Sequence, residues 1–206
     1  MRVVDVGGGR HPCIGVARKK ELALDVIGLD ISAAELAAAP EGAYDSTIVS
    51  DVANVVSDLK ADLVICQALL EHVENIGGAF RAVSSMLRPG GQALIFVPSR
   101  NALFARMNLI LPEKLKTWLL FTLYPQARDG QGFRSFYKNC TPRGFADLAA
   151  SQNLILRERH LYWCSQYFSF CLPLHMLWRI WLLAFEAVRG ANAAETFAMV
   201  LERRPT

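Results

Sequence analysis

Two acidic residues and a run of glycines near the start of the chain have the types and spacing of a nucleotide-binding site. Asp5 lies in a short apolar segment that runs directly into three consecutive glycines, Gly7, Gly8 and Gly9. Asp30 follows about 20 residues after the glycines. In nucleotide-binding folds, a carboxylate at this spacing accepts hydrogen bonds from ribose hydroxyls. Glycine lets the backbone turn sharply and approach a ligand closely. The pattern predicts a site for an adenosine-containing cofactor. The alternative is a glycine turn between buried strands, with Asp30 capping a helix.

Short apolar segments and helix-forming segments alternate along the first 100 residues. Strands are predicted at 2–6, 25–30, 46–51, 61–66 and 92–98. The longest intervening helix is predicted at 77–91, where Pro-Gly-Gly closes it. Strands that are apolar throughout belong in a parallel sheet with helices on both faces. Ligands bind such a sheet beyond the carboxyl ends of the strands, which is where the glycines and Asp30 fall.

Residues 99–140 interrupt this alternation. They contain two apolar helical segments, 102–111 and 113–124, before a loop rich in Gly, Arg and Tyr. The alternation then resumes with a helix and two strands, predicted at 141–153, 154–163 and 195–204. We therefore expect one domain over residues 1–206, in which 99–140 and 164–192 are helical segments that form a cap.

The composition excludes several classes of protein. The chain has 206 residues and a net charge of only +3, so we expect no nucleic-acid partner. The five cysteines are odd in number and none are spaced as C-x-x-C, which argues against a disulfide framework or a zinc site. No signal-peptide pattern opens the chain. We expect a cytoplasmic protein.

Four sequence motifs identify the cofactor class. A dinucleotide fingerprint, G-x-G-x-x-G, would need a glycine where this chain has Pro12. The D-x-G-x-G pattern from Asp5 to Gly9 instead resembles motif I of the class I S-adenosylmethionine-dependent methyltransferases. VIGLDIS resembles their second motif, ADLVICQALLEHV their D-x-V-x(5)-L-E-H-V segment, and LRPGGQALIFVPS their helix-turn-strand signature. With the later TPRGFADLAA, the chain resembles the methyltransferase type 11 branch.

The resemblance implies an α/β, Rossmann-like, doubly wound sheet of seven strands, with the last strand antiparallel. It implies S-adenosyl-L-methionine as the cofactor. It assigns cofactor contacts to ten residues, Asp5, Gly7, Gly8, Gly9, Asp30, Ile31, Asp51, Val52, Cys66 and Gln67. In this set Asp5 orients the glycine loop or the cofactor amino group, and Asp30 holds the ribose. Asp51 accepts from the adenine amino group, and Cys66 and Gln67 border the methyl group.

Two residues are the candidates for catalysis. His72 is the predicted general base, because the pKa of histidine lies near neutrality. Its alternative role is a structural histidine under the sheet. Tyr137, together with Phe136 and Arg134, lines the acceptor pocket or else packs the loop. Some quinone O-methyltransferases carry an extra glutamate in this motif and bind a divalent metal. The corresponding residue here is Ala68, so no metal is expected.

Two features depart from the family pattern. His11 stands where the motif D-x-G-x-G-x-G has its third glycine, and His11 can reach the cofactor carboxylate or the substrate. The family has a helix or two before the first strand, and none precedes it here. Either the start of the chain is truncated or the pocket is covered from elsewhere.

The segment 173–189 predicts a helix with an unusually broad apolar surface. On a helical wheel its polar residues fall within about 80° of arc; they are His175, Arg179, Glu186 and Arg189. Three roles stay open for this helix: a cap over a lipophilic pocket, a helix on a membrane surface, or a homodimer contact through 170–190. A spanning helix is not expected, because Pro173 and nearby serines interrupt the apolar run.

The predicted function is methyl transfer from S-adenosylmethionine to a small acceptor that is lipophilic or lipid-linked. Two other classes stay open. One is an NAD(P)-dependent oxidoreductase, against which the GGGRHP segment argues. The other is a catalytically weak binding subunit with a methyltransferase fold. The sequence does not distinguish transfer to oxygen, nitrogen or carbon.

Overall fold

The computed structural model describes residues 1–110, 135–163, 168 and 171–205. Within these residues seven strands form one sheet: β1 (Arg2–Val6), β2 (Asp25–Asp30), β3 (Ser46–Val49), β4 (Ala61–Gln67), β5 (Leu87–Pro98), β6 (Leu154–Tyr162) and β7 (Thr196–Arg203). Their order is β3-β2-β1-β4-β5-β7-β6. The first five strands pair in parallel, and β7 is antiparallel to both its neighbours. The predicted sheet, with an antiparallel last strand, is confirmed.

Helices connect most of the strands. In the described ranges they are α1 (Val16–Glu21), α2 (Ala33–Ala37), α3 (Ile76–Met86), α4 (Leu103–Ile110), α5 (Pro142–Ser151) and α6 (Leu172–Arg189), with 3₁₀ turns at Val52–Asn54, Leu70–His72 and Gly190–Ala193. Side chains cap three of the helices at their first turn. Ser32 accepts from the backbone N–H of Glu35, and Asn75 and Thr141 do the same for α3 and α5.

The core lies between the sheet and the helices α3 and α5. Phe145 of α5 stands edge-on to Phe80 of α3 at 5.0 Å and to Phe197 of β7 at 5.3 Å, measured between ring centroids. All three rings are fully buried. Such edge-to-face contacts add to the free energy gained by burying the rings. These contacts fix α3 and α5 against the part of the sheet that contains β7.

The boundary between α3 and β5 differs from the sequence prediction. The helix ends at Met86 and the strand begins at Leu87, so the prediction of a helix up to residue 91 was wrong. Leu87 already pairs with Ala61 of β4, and Gly90 has a positive φ of 75°. A Cβ at Gly91 would lie 2.7 Å from the Ala61 carbonyl oxygen. The Pro-Gly-Gly segment is thus an irregular start of the strand.

The apolar segments outside the alternating pattern are partly described. α4 corresponds to the helix predicted at 102–111 and α6 to the one predicted at 173–189. The predicted helix at 113–124 lies outside the described residues. Among the helices that are described, none combines the length and the hydropathy needed to cross a membrane.

Candidate active site

The three glycines after β1 each occupy a position that a side chain would disturb. Gly7 and Gly9 have positive φ values of 76° and 47°, a conformation that favours glycine. A Cβ at Gly8 would lie 2.5 Å from Oδ2 of Asp5 and 2.6 Å from the hydroxyl oxygen of Tyr44. The loop therefore needs glycine for its turn at two positions and for close approach at the third.

Asp5 holds this loop from beneath. It is only 2% exposed, and its Oδ2 accepts the backbone N–H of Cys13 at 2.8 Å. Burial raises the pKa of Asp5, and the nearby charge of Asp30 adds to the rise. The hydrogen bond from Cys13 and the adjacent hydroxyl of Tyr44 act in the opposite direction and favour the carboxylate. This geometry suits the loop-orienting role that the resemblance assigns to Asp5.

A pocket of about 280 Å³ opens at the carboxyl ends of β1, β2 and β4. Its lining comprises Asp5, Gly7, Gly8, Gly9, Arg10, His11, Cys13, Asp30, Glu35, Gln67 and Ala68. The sheet order reverses direction between β1 and β4, and open α/β sheets bind ligands at such a point. The volume lies just below the range typical of small-molecule sites, about 300 to about 1,000 Å³. The structure thus brings six of the ten predicted cofactor residues to one pocket.

Asp30 and an ion pair form the polar rim of the pocket. Oδ1 of Asp30 accepts the backbone N–H of Ser32 at 2.8 Å, and Oδ2 points towards Gly9. Beside it, the guanidinium of Arg10 donates to both carboxylate oxygens of Glu35, at 2.7 and 2.6 Å. The paired guanidinium lowers the pKa of Glu35. The pair links the glycine loop to α2.

The other four predicted cofactor residues do not line this pocket. Oδ1 of Asp51 accepts from the N–H of Ala53 at 2.9 Å, which makes Asp51 the cap of its own 3₁₀ turn. Val52 and Cys66 are buried in the core, and Ile31 is 61% exposed. Their assigned cofactor contacts stay predictions.

The turn after β4 carries His72 and a buried acid. Glu71 is buried, and its Oε1 lies 3.8 Å from Nε2 of His72. Its Oε2 has no hydrogen-bond partner among the described residues. Burial accordingly raises the pKa of Glu71 to about 7. Nδ1 of the half-buried His72 lies 3.3 Å from the hydroxyl of Ser135.

Main-chain hydrogen bonds fasten the segment from Ser135 to Cys140 onto this turn. The carbonyl of Glu71 accepts the N–H of Phe136 at 2.8 Å and that of Tyr137 at 3.0 Å. The Tyr137 ring is 3% exposed and stands edge-on to Phe104 in the core. Neither His72 nor Tyr137 lines the glycine pocket, so their catalytic roles stay predictions. Arg134 lies outside the described residues.

Sequence reasoning missed several residues of the pocket and its floor: Arg10, Cys13, Glu35, Tyr44 and Ala68 as a lining residue. One signal for Tyr44 was present. Gly28 interrupts the β-branched run of β2, and a Cβ there would lie 2.9 Å from the Tyr44 ring. A glycine inside a strand often marks a close approach by another group. No spacing rule indicates that Arg10 pairs with Glu35.

Comparison with known proteins defines the class. The fold is that of the S-adenosylmethionine-dependent methyltransferases. The enzyme of this class from Mesorhizobium loti superposes with a TM-score of 0.61 at 16% identity, covering 98% of this chain and 90% of that one. Phosphoethanolamine N-methyltransferase 2 from Haemonchus contortus, in complex with S-adenosyl-L-methionine, superposes with a TM-score of 0.58 at 17% identity. That superposition covers 100% of this chain and 49% of that one.

A family model described as a methyltransferase domain matches residues 1–154, three quarters of the chain. The chain belongs to this methyltransferase family, which confirms the predicted class and its cofactor, S-adenosylmethionine. Among curated proteins, a ubiquinone biosynthesis O-methyltransferase from Rhodopseudomonas palustris is 27% identical over 125 residues. The aligned region covers 58% of this chain and 48% of that protein. The chain thus spans about half the length of the curated relatives it matches.

The pocket residues fit S-adenosylmethionine. The glycine loop can take this conformation only without side chains, because a Cβ at Gly7 would meet Leu69 and a Cβ at Gly8 would meet Asp5 and Tyr44. Its bare main chain lines the pocket and lets a ligand approach closely. Asp30 presents a carboxylate held in place by a backbone N–H. These groups suit the methionine part and the ribose of the cofactor respectively.

Proposed function

We propose that this chain transfers the methyl group of S-adenosylmethionine to a small lipophilic acceptor in the cytoplasm. The observation that carries the proposal is the glycine cradle beside Asp30 at the point where the strand order reverses. Bound S-adenosylmethionine supplies a methyl group already activated by the positive charge on sulfur. The residues of this chain need only hold the two reactants in line, since alignment is the main contribution to such a displacement.

In this proposal different pocket residues bind different parts of S-adenosylmethionine. Gly7, Gly8 and Gly9 let the main chain approach the methionine part, and Asp30 accepts hydrogen bonds from the ribose hydroxyls. Gln67, at the carboxyl end of β4, faces the reacting end of the pocket. Asp51 and Val52 contact the adenine. Because the Asp51 side chain caps its own 3₁₀ turn in this structure, this contact requires the turn to rearrange.

The proposed acceptor is lipophilic for two reasons. Matching relatives are named ubiquinone biosynthesis O-methyltransferases, and the name implies an acceptor in quinone synthesis. In addition, α6 exposes large apolar side chains, including Leu177 and Ile180. We propose that residues 1–206 form one domain in which the segments 99–140 and 164–192 form a cap; residues 111–134, 164–167 and 169–170 of these segments lie outside the described residues.

We assign His72 the role of general base. It is half-buried on the turn that follows β4, and Ser135 and Glu71 lie beside its two ring nitrogens. A ring nitrogen of His72 takes the proton of the acceptor as the methyl group arrives. Tyr137 supports this geometry through the hydrogen bond of its N–H to the Glu71 carbonyl.

Calorimetric titration with S-adenosylhomocysteine and, separately, NADH tests the proposal. We expect binding of S-adenosylhomocysteine and not of NADH. Asp30→Ala should weaken that binding at least about tenfold, because it removes charge-assisted hydrogen bonds to the ribose. Asp58→Ala, which removes an exposed carboxylate far from the pocket, is the matched control and should bind like the wild type.

The alternatives predict other results. Binding of NADH would favour an oxidoreductase. Binding of neither compound would favour a subunit that has kept the fold without the activity. Equal affinity of the Asp30→Ala variant and the wild type would contradict the role assigned to Asp30.

A further inference from the structure

α6 directs its broad apolar side away from the protein, whereas an ordinary surface helix directs it towards the core. The stripe that packs against the protein contains Trp178 and Leu182, with His175 and Glu186 half-buried beside them. The side chains that point away from the protein are large and apolar. Six of them are at least half exposed: Leu172, Met176, Leu177, Ile180, Leu183 and Val188.

The outward face is apolar over a wide arc. At about 100° per residue, these six side chains fall within about 160°, and about 280° of the helix surface carries no charged side chain. We call the six residues the outward face. A helix on the surface of a water-soluble domain normally shows the reverse arrangement, with its apolar stripe towards the core. The outward face is therefore built to contact something apolar.

The charges beside the outward face are biased towards positive. Of the three charged residues in α6, Arg179 is exposed at the edge of the outward face, whereas the acid Glu186 is half-buried on the inner side and Arg189, in the last turn, follows the direction of the buried stripe. On the opposite flank, the guanidinium of Arg106 from α4 lies 4.6 Å above the ring of Phe185. Arginine at the edge of an apolar face suits a phosphate headgroup, since the side chain can extend to the interface.

We propose that the outward face docks α6 in the plane of an anionic lipid bilayer. The helix of 18 residues is about 27 Å long and lies in the interface with its apolar side among the acyl chains. Arg179 contacts the headgroups. At the neighbouring end of α4, the exposed Leu109 and Ile110 extend the apolar contact.

A bilayer explains this surface better than a second copy of the chain. A dimer through the outward face needs apolar surface alone, and the positive flanks add like-charge repulsion across it. Anionic headgroups turn the same positive flanks into attraction. This inference goes beyond the proposed methyl transfer and does not depend on it, because docking needs neither cofactor nor acceptor.

Co-sedimentation of the full chain with lipid vesicles tests the proposal. One set of vesicles contains phosphatidylcholine alone, and the other adds phosphatidylglycerol. We expect binding to the mixed vesicles and much weaker binding to the neutral ones. Leu177→Glu with Ile180→Glu should reduce the partition coefficient at least about tenfold, because both charges would enter the acyl region. Arg179→Gln should reduce binding to mixed vesicles about fivefold.

A matched control separates position from charge. Val49→Glu with Val56→Glu adds the same two negative charges at exposed residues that do not belong to the outward face. The control variant, Val49→Glu with Val56→Glu, should bind vesicles almost as well as the wild type. Circular dichroism should give both double variants the Tm of the wild type, because all four positions are exposed in the folded chain.

Three results would overturn the proposal. The first is a wild-type chain that does not sediment with mixed vesicles. The second is a Leu177→Glu, Ile180→Glu variant that binds them as well as the wild type does. The third is a dimer in analytical ultracentrifugation that this variant dissociates, without vesicle binding, which would assign the outward face to a second copy.

Discussion

The ring of Tyr44 lies directly against Gly28, so close that a Cβ at position 28 would stand 2.9 Å from three ring atoms. Tyr44 precedes β3, and Gly28 lies inside β2. The Tyr44 hydroxyl donates to the carbonyl of Gly9 at 3.1 Å. Through this contact the missing side chain in β2 makes room for a ring that supports the glycine loop from below.

Gly28→Ala should displace the Tyr44 ring and loosen the glycine loop. Overpacking of this kind costs about 1 to 3 kcal/mol of unfolding free energy, which urea denaturation measures. Affinity for S-adenosylhomocysteine should fall as well. In a Tyr44→Ala background the same substitution should have little effect, because the ring it meets is gone. Equal losses in both backgrounds would contradict the contact.

The adjacent glycines of α3 should respond differently to alanine. A Cβ at Gly78 would lie 2.4 Å from the carbonyl oxygen of Ala53, in the 3₁₀ turn that Asp51 caps. At Gly77 the nearest atom would be 3.9 Å away. Gly78→Ala should therefore lower the Tm by several degrees. Gly77→Ala should leave it unchanged or raise it, since alanine favours the helix by up to about 1 kcal/mol. The reverse order would contradict this packing.

Glu71 should make the stability of the chain depend on pH. Burial raises its pKa from 4.5 to about 7. Below pH 4.5 the folded and unfolded chains both hold the proton, whereas between these two values the folded chain holds more of it. Unfolding then releases a proton, so the free energy of unfolding falls as pH rises, by about 3 kcal/mol in all. Urea denaturation across this pH range measures the fall.

Two variants test whether Glu71 is the cause. Glu71→Gln should remove this part of the pH dependence, because glutamine does not titrate. Glu74→Gln, three residues away at an exposed carboxylate, should retain it. If Glu71→Gln keeps the full slope, another group is responsible.

Cys13 should report on occupancy of the pocket. It is exposed on the pocket lining, and its Sγ donates to Oε1 of Gln67 at 3.1 Å. Partial burial and the charge of Asp5 raise the pKa of the thiol. Alkylation near neutral pH should therefore be slow, and S-adenosylhomocysteine should slow it further. Peptide mass spectrometry identifies the modified site, with Cys13→Ser as the control. Alkylation at the same rate with and without the ligand would place Cys13 outside the bound pocket.

Local patterns were enough to predict the strands, the glycine loop and Asp30. Buried parallel strands are apolar throughout, and glycine at a strand end marks a turn, so neighbouring residues carry both signals. The same reasoning failed at residues 87–91. There Pro-Gly-Gly predicts the end of a helix, whereas in the structure the strand has already begun with the pairing of Leu87 and Ala61 of β4. Strand pairing is a contact between distant segments, and the local signal does not contain it.

The sequence by itself determined the class of the protein. The motif formed by Asp5, the three glycines and Asp30 depends on the backbone conformation of the loop and on the order of the strands, and local sequence patterns indicate both. Only the tertiary structure decided which side chains meet at the pocket. Tyr44 reaches Gly28, Arg10 reaches Glu35, and the Glu71 carbonyl holds the segment from Ser135 onwards. It also decided which side of α6 faces outwards. A helical wheel separates polar from apolar residues, but only packing against the rest of the chain selects the side that is buried.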